Sequence, residues 1–351
     1  MKQLSPEIRA ILNDEELIAR RDRWMNRMSA LFDGTPDEYN DAYVYTLAGD
    51  CPRRWDPADS YAIAEPEKWV ADSLARIAAI REIPGNRFAP LCVEYPIYGV
   101  HFIDKMFGAD VFWKDNQWSV HYLTTPIGSL EMPDLEKDET WSLAKRAALA
   151  FVEEEVRLPL FGMPTLSSAL NIYLNLYGGD GLEAMLLDEE AAEHDLTVIN
   201  DLIRTLHRWY LANVPLTQLQ PVISWARTQP PGYGQLCGCS TQLLSGELYA
   251  KMVAPLDDAL LGEWPHGGMI HLCGAHTQHM ETFRGMKHLR SLQLNDRAAE
   301  DLGLYYTGLR DDQILYLNPC PGMPTEKAVE ITGGNRMVLV CGGDAPARPK
   351  K

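Results

Sequence analysis

The sequence has few positive charges for its size and no long apolar segment. Its 32 Lys and Arg residues stand against 49 Asp and Glu residues, which gives a net charge of -17. Nucleic-acid-binding proteins usually present a basic face, so this balance argues against a nucleic-acid partner and equally against an anionic membrane surface. No apolar run approaches the roughly 20 residues of a membrane-spanning helix. Residues 1–17 mix charges where a signal peptide has an apolar core, which predicts a cytoplasmic protein.

The sequence also lacks a regular cysteine framework. It contains seven cysteines, an odd number, at irregular spacings in a chain of 351 residues. Disulfide scaffolds are typical of short secreted chains with even cysteine counts, so such a scaffold is not indicated. A buried cysteine in a reducing compartment most often acts as a small apolar side chain. The informative cysteines are therefore those at the ends of predicted strands.

Phosphate-binding motifs are missing as well. No G-x-G-x-x-G opens a helix and no P-loop is present. From residue 88 onward, short apolar runs alternate with amphipathic helical patterns, which is typical of β-α-β units and a parallel sheet. About eight such units in roughly 260 residues favour a closed (β/α)8 TIM barrel over an open, doubly wound sheet. The sequence thus predicts an α/β protein with an N-terminal helical segment (1–85), a barrel (86–344) and a tail (345–351).

Two segments of the predicted barrel need separate interpretation. The run PVISWA at residues 221–226 predicts a barrel strand, as does ADVFW at residues 109–113. Residues 118–132 instead read as a hairpin or a bent insertion.

The strongest chemical signal lies on one predicted strand, at residues 268–274, which read Gly-Met-Ile-His-Leu-Cys-Gly. Side chains alternate along a strand, so His271 and Cys273 point to the same side, near the carboxyl end where barrel chemistry occurs. An imidazole and a thiolate directed together suit zinc, which needs a third ligand and, for catalysis, an open fourth position. A lone pair of this kind is weak evidence by itself. Cys320 and Cys341 end later strands and are the candidates for the third ligand.

Other residues near strand ends are candidates for the pocket. Glu94 and Tyr98 follow the first barrel strand, while Trp225 and Arg227 belong to the run PVISWART at residues 221–228. Arg227 is able to bind a substrate carboxylate, although a surface ion pair is the simpler interpretation. Cys239 completes a Cys-Gly-Cys fragment whose spacing matches no structural zinc site. We assign it to the pocket rather than to the metal.

Asp296 is the candidate catalytic residue. It follows the predicted strand LRSLQLN, where it either orients His271 or a substrate group, or is simply the N-cap of the next helix. The remaining histidines near the His-x-Cys strand, His266, His276 and His279, are interpreted as bystanders.

Residues 245–296 read as helix, strand, helix and strand, and they resemble the uroporphyrinogen decarboxylase superfamily, whose members share a strand of the form I-H-x-C-G. The likeness extends over residues 88–344, for example in YGVHFIDKMFGADV and RLPLFGMPTLSSAL, and it implies the TIM barrel. The haem-pathway decarboxylases of this superfamily carry an Arg-Gln-Ala-Gly-Arg stretch near the N-terminus. This chain has only RRDRWMNRM at residues 20–28, which disfavours porphyrinogen decarboxylation.

The resemblance is closer to the zinc methyltransferases, which move methyl groups between corrinoid cofactors and a thiol or another small molecule. It implies His271, Cys273 and Cys341 as zinc ligands, although Leu339 and Val340 replace the usual Pro-Gly before the last cysteine. Cys320 is the alternative third ligand. The implied cofactors are Zn²⁺ and a corrinoid that arrives as a substrate or on a corrinoid-binding partner protein. Two alternatives remain: a decarboxylase or lyase on the same barrel, and a non-catalytic barrel that binds a tetrapyrrole or corrinoid.

Overall fold

The computed structural model describes residues 4–35, 43–47, 64–82, 88, 90–221 and 225–341. The helices are α1 (Pro6–Leu12), α2 (Glu15–Asp33), α3 (Pro66–Ile80), α4 (Phe102–Met106), α5 (Glu139–Glu153), α6 (Ala169–Leu187), α7 (Glu189–Asn213), α8 (Gly246–Leu248), α9 (Ala254–Leu261), α10 (Met280–Gly285), α11 (Asp296–Glu300), α12 (Leu302–Gly308) and α13 (Thr325–Thr332). The strands are β1 (Tyr43–Leu47), β2 (Cys92–Glu94), β3 (Val111–Lys114), β4 (Gln117–Val120), β5 (Leu160–Gly162), β6 (Leu219–Gln220), β7 (Gly234–Cys237), β8 (Gly268–Leu272), β9 (Leu289–Leu294), β10 (Ile314–Leu317) and β11 (Met337–Cys341).

The strands form a mixed α/β architecture with two parallel sheets and one hairpin. The larger sheet has the order β1-β11-β10-β9-β8-β7, and the smaller has the order β2-β5-β6. All pairs within both sheets are parallel. Among the described residues, no strand pairing joins the two sheets into a closed barrel.

The N-terminal segment begins with two capped helices. Ser5 caps α1 by accepting a hydrogen bond from the backbone N–H of Ile8, and Pro6 occupies the first turn. Gly34 ends α2 in the left-handed conformation, with a φ of 65°. The prediction of a purely helical segment is wrong in one respect, because β1 lies within it and extends the larger sheet beside β11.

Two predicted barrel strands are corrected. The run at 221–226 is not a continuous strand: β6 ends at Gln220, residues 222–224 lie outside the described part, and Trp225–Arg227 form a 3₁₀ turn. Pro221 lacks the N–H that would continue the ladder. Residues 111–114 form the first strand of an antiparallel hairpin with β4, which places the predicted hairpin a few residues earlier than expected.

Apolar side chains form two core clusters. In the larger cluster, helices pack against the outward faces of the strands, with Ile270 and Leu272 of β8 among its members. The smaller cluster draws side chains from both sheets and from α2: Met25, Met28, Phe32, Phe88, Cys92, Leu160, Tyr233, Met269, Ile314, Tyr316 and Val338. His271 and Cys273 share the strand face of Met269, so the fold directs them toward the side of β8 on which the smaller cluster lies. Within the described residues, no helix combines the length and apolar character needed to span a bilayer.

Candidate metal centre and adjoining cavity

Three potential metal ligands converge at the carboxyl ends of β7 and β8. His271 and Cys273 come from β8 and the residue after its end, as the alternation along the strand predicts. Cys239 begins the 3₁₀ helix Cys239–Leu243, which follows directly after β7. Their ligand atoms all lie within 4.8 Å of one another. Two sulfur atoms and one imidazole nitrogen form a donor set that suits zinc and leaves a fourth position for a substrate.

Strand register brings the first two segments together. Cys237 of β7 is the register partner of His271, and His271 is in turn the register partner of Gln293 on β9. Cys239 lies two residues beyond Cys237 and Cys273 two residues beyond His271. Both cysteines therefore follow their strands at the same height, which explains their proximity.

The His271 ring is oriented by an amide. Gln293 donates its side-chain N–H groups to Oδ1 of Asn318 at 2.9 Å and to Oδ1 of Asn295, so its Oε1 faces Nδ1 of His271. The imidazole must then donate from Nδ1, which leaves Nε2 with a lone pair for a metal. Burial lowers the pKa of His271, so the neutral ring is favoured.

Two histidines to which we assigned no role in the site, His276 and His279, form hydrogen bonds that connect the cysteine-bearing loops. Nε2 of His276 accepts a hydrogen bond from the backbone N–H of Gly274 at 3.1 Å. Its Nδ1 therefore donates to the Thr241 hydroxyl at 2.9 Å, and that hydroxyl donates to the carbonyl of Gly238. Burial lowers the pKa of His276 to about 4, which keeps this pattern intact at neutral pH. His279 adds a bond from Nε2 to the carbonyl of Thr241 at 2.8 Å.

The two thiols of the cluster share a proton unequally. The hydrogen bond from Cys239 and the contact with His271 lower the pKa of Cys273 to about 5. The same bond to Cys273, together with burial, raises the pKa of Cys239. Cys273 is therefore the thiolate of the pair near neutral pH, and a metal cation has to displace the single proton of Cys239.

A cavity of about 420 Å³ opens beside the cluster and is lined in part by Cys239 and His271. The Arg227 guanidinium reaches this cavity, donates to the sulfur of Cys237 at 3.5 Å, and forms no ion pair with any described carboxylate. Asn171 and Asn175 of α6 line another part of the cavity wall. The arrangement joins a sulfur- and nitrogen-containing set of metal ligands to a polar cavity that the Arg227 guanidinium enters.

The remaining predicted site residues lie elsewhere or outside the described part. Glu94 ends β2, and its backbone carbonyl accepts a hydrogen bond from the Trp69 indole. Tyr98 has a left-handed backbone, with a φ of 54°, and packs edge-on against Trp118. Neither lines this cavity. Trp225 begins the 3₁₀ turn, but its side chain lies outside the described part.

The structure also separates the predicted third ligands from the observed cluster. Cys320 is half-buried, and its thiol lies 3.9 Å from the carbonyl of Asp296, outside the group formed by Cys239, His271 and Cys273. Cys341 ends β11, and its side chain lies outside the described part, so its role as a ligand stays a prediction.

Asp296 does not take the orienting role that we considered for it. The ring of His271 is held by Gln293, while Asp296 is the first residue of α11, after Asn295. Its negative charge acts on Cys273, where it opposes the lowering of the thiol pKa. The N-cap interpretation is wrong as well, because Asn295 is the N-cap residue of α11 and no side chain caps that helix, while Asp296 has a left-handed backbone with a φ of 47°. A role of Asp296 toward a substrate group stays a prediction.

Sequence reasoning placed Cys239 in the pocket but not with the metal ligands, and it missed Gln293 and Thr241 altogether. The available signal for Cys239 was its position two residues beyond Cys237, which matches the position of Cys273 two residues beyond His271. That signal has meaning only once β7 and β8 are known to be adjacent and in register.

The fold of the chain is similar to that of a methyltransferase from Methanosarcina mazei. The two structures share 12% sequence identity and a TM-score of 0.60, over 93% of this chain and 94% of that chain. No protein-family model matches the sequence, and no curated protein matches it. At this level of identity the likeness is one of fold, and the fold is the one found in that methyltransferase.

Proposed function

We propose that this chain is a zinc-dependent methyltransferase of the uroporphyrinogen decarboxylase superfamily. It would move a methyl group between a corrinoid and a thiol or another small molecule. The single observation that carries the proposal is the Cys239–His271–Cys273 cluster at the edge of a polar cavity. The similar fold of a methyltransferase supports it.

The proposal includes a (β/α)8 barrel assembled from the two sheets. The smaller core cluster supports this, because Cys92 and Leu160 of the smaller sheet pack together with Met269 and Val338 of the larger one. A barrel interior filled by side chains from every strand has this property. The three ligands then lie where barrel enzymes carry their chemistry, at the carboxyl ends of the strands.

Zinc bound at this cluster supplies Lewis-acid stabilisation of a substrate thiolate at neutral pH. Gln293 keeps Nε2 of His271 available, and the Thr241–His276 contacts keep Cys239 beside Cys273. Arg227 is placed to hold an anionic part of the substrate in the cavity. When a methylcorrinoid is the donor, the substrate thiol would lose its proton to water and its sulfur would form a bond to the methyl carbon. The cobalt–carbon bond would break in the same step, and both of its electrons would stay with the released corrinoid.

The partners in this proposal are a small methyl donor or acceptor and a corrinoid, either free or on a small corrinoid-binding protein, in the cytoplasm. The net charge of -17 is consistent with a cofactor-bearing protein as partner rather than a nucleic acid.

Zinc stoichiometry tests the proposal directly. We expect about one zinc per chain in the purified protein, and loss of that zinc in His271→Ala, Cys273→Ser and Cys239→Ser. Cys320→Ser is the matched control, since it removes another half-buried thiol outside the cluster. A native protein without zinc, or retention of zinc in Cys273→Ser, would contradict the proposal.

The third ligand and the reaction are tested on the same samples. If Cys341→Ser loses zinc while Cys239→Ser keeps it, the ligand implied by the family resemblance is the correct one. Demethylation of methylcobalamin in the presence of a thiol, followed by its visible absorbance, tests methyl transfer. Zinc binding with no demethylation of methylcobalamin, and no methylation of cob(I)alamin by small methyl compounds, would favour a non-catalytic corrinoid-binding protein.

A further inference from the structure

Two asparagines one helical turn apart line the cavity beside the cysteine cluster. Asn171 and Asn175 both belong to α6 and are half-buried. Residues four apart on a helix lie on the same face, with their Cβ atoms about 5–6 Å apart. Both side chains therefore present their amides to one part of the chamber.

The orientation of each amide is set by its partner, which in one case is a donor and in the other an acceptor. The backbone N–H of Ser240 donates to Asn171 at 3.0 Å, so the atom that it meets is the carbonyl oxygen Oδ1. Asp104 accepts a hydrogen bond from Asn175 at 2.9 Å, so the atom that faces this carboxylate is the nitrogen Nδ2. Because a backbone amide only donates and a carboxylate only accepts, neither asparagine can turn over without losing its bond.

Asp104 is itself well placed to hold Asn175. Its carboxylate is fully buried in α4, and the same oxygen that binds Asn175 also accepts from Nδ1 of His101 at 2.6 Å. Burial raises the pKa of Asp104, and the hydrogen bonds from His101 and Asn175 act against that rise by stabilising the charged form. The orientation of Asn175 is therefore coupled to the burial of Asp104 and is not free to adapt.

What remains for the cavity is one donor and one acceptor. Nδ2 of Asn171 and Oδ1 of Asn175 have no hydrogen-bond partner among the described residues. Asn171 lies beside Ser240, next to the ligand Cys239, while Asn175 is one turn farther along α6. A bound molecule would thus meet a fixed N–H donor near the metal ligands and a fixed carbonyl acceptor beyond it.

We propose that Asn171 and Asn175 recognise a carboxamide group on the substrate, with its carbonyl oxygen at Asn171 and its N–H at Asn175. The inference deepens the proposed function and relies on it only for placing the reacting sulfur at the cysteine cluster. A primary carboxamide satisfies both fixed groups at once. A carboxylate would place an acceptor against the Asn175 carbonyl, and an alkyl group would leave both amides without partners in a half-buried site, which disfavours binding.

Binding of two thiols of matched size tests the proposal on the zinc-loaded protein. 2-Mercaptoacetamide and 2-methylpropane-1-thiol have equal numbers of non-hydrogen atoms and differ in the amide. We expect the amide to bind on the order of tenfold more tightly by titration calorimetry, as two modest hydrogen bonds predict. Equal affinities for the two thiols would overturn the proposal without any variant.

The variant Asn171→Asp sharpens the test because it replaces the N–H donor that faces the cavity with an acceptor, while it keeps the oxygen that binds the Ser240 N–H. Its carboxylate still accepts from the Ser240 N–H, but its second atom becomes an acceptor instead of a donor. Binding of 2-mercaptoacetamide should weaken about tenfold and binding of the cation 2-aminoethanethiol should strengthen, with 2-methylpropane-1-thiol unchanged. Equal weakening of all three thiols would show a merely structural role and contradict the proposal.

Failure of the zinc proposal is distinguished by a probe that needs no metal. Propanamide and butan-2-one differ by an NH₂ in place of a CH₃, and saturation-transfer NMR compares their binding to the metal-free protein. Preference for propanamide in the unaltered protein, together with weaker binding of both probes in Asn171→Asp, supports the amide site even if zinc proves absent. Binding of both probes to the same extent would overturn the amide site, whatever the metal content.

Discussion

Gln293 lies opposite His271 on the neighbouring parallel strand, and its side-chain oxygen accepts the hydrogen bond of the imidazole Nδ1–H. The amide cannot turn over, because its N–H groups are committed to the carbonyl oxygens of Asn295 and Asn318. The ring is therefore held in one tautomer before any metal arrives. Hydrogen bonds to the non-coordinating nitrogen of a histidine ligand commonly affect how tightly the metal binds.

Replacement of Gln293 should weaken zinc binding without removing a ligand. In Gln293→Leu the Nδ1–H loses its acceptor, and we expect zinc affinity to fall by about 10–100-fold. Gln293→Glu keeps an acceptor for the Nδ1–H and should bind zinc more tightly than Gln293→Leu, although its carboxylate gives up the hydrogen bonds to Asn295 and Asn318. Competition with a chromogenic chelator measures both affinities. Native affinity in the leucine variant would show that the contact does not orient the ring.

Loss of the Thr241 hydroxyl should lower the stability of the protein and also disturb the geometry of the cysteine cluster. Thr241→Val leaves the buried Nδ1–H of His276 without an acceptor, which should cost about 1–3 kcal/mol of unfolding free energy. Thr241→Ser keeps the hydroxyl and is the matched control. In the cobalt-substituted protein, the valine variant should also show weaker thiolate-to-cobalt absorption, because Cys239 is no longer held beside Cys273. Unchanged absorption in a destabilised valine variant would limit Thr241 to a role in folding.

A buried carboxyl group outside the cluster should make stability depend on pH. Asp257 is buried, accepts a hydrogen bond from the Tyr249 hydroxyl at 3.0 Å, and has its pKa raised by burial to about 7. A group with a raised pKa contributes stability that is present in acid and is lost as the pH rises through about 7. The wild type should therefore lose on the order of 1–3 kcal/mol between pH 5 and pH 8, and Asp257→Asn should lose less.

Thermal melting over this pH range measures the effect. The fully exposed Asp311 provides the control, since Asp311→Asn should follow the wild type at every pH. Parallel pH profiles for Asp257→Asn and the wild type would show that Asp257 does not titrate near neutrality.

The close pairing of β7 with β8 should tolerate no side chain at Gly268. A Cβ atom there would lie 2.3 Å from the carbonyl oxygen of Gly234, which is part of the strand backbone and cannot move aside. Gly268→Ala should cost about 2–3 kcal/mol or more, measured by urea unfolding. Gly179→Ala is the control: this exposed glycine follows the kink at Gly178 in α6 and has open space around its Cβ position, so the substitution should leave the midpoint close to native. A native midpoint in Gly268→Ala would contradict the steric argument.

The parts of the site that depend on local pattern were predictable. His271 and Cys273 share a face because strand side chains alternate, and this requires no knowledge of neighbouring strands. Cys239 and Gln293 become neighbours of these residues only through the register of β7, β8 and β9. A single sequence contains the alternation but not the register, so the third cysteine and the orienting amide lay beyond it.

The fold shows the same division. The alternation of strands and helices predicted parallel sheets, which the structure confirms. The edge strand β1 was missed because its partner, β11, lies nearly 300 residues away in the sequence. By contrast, the hairpin at residues 111–120 had a local signal: its turn residues, Asp115 and Asn116, both adopt positive φ angles, as two-residue hairpin turns require.

The strand register that brings the metal ligands together also makes metal binding a measure of correct strand pairing. Cys237, His271, Gln293 and Tyr316 are successive partners across four neighbouring strands. A slip of one residue in β8 would turn His271 and Cys273 out toward the helices and bring Ile270 and Leu272 in their place. A misregistered chain would then lack the ligands as a set rather than hold them loosely. The fraction of refolded chains that bind metal would thus equal the fraction in which these strands pair in the native register.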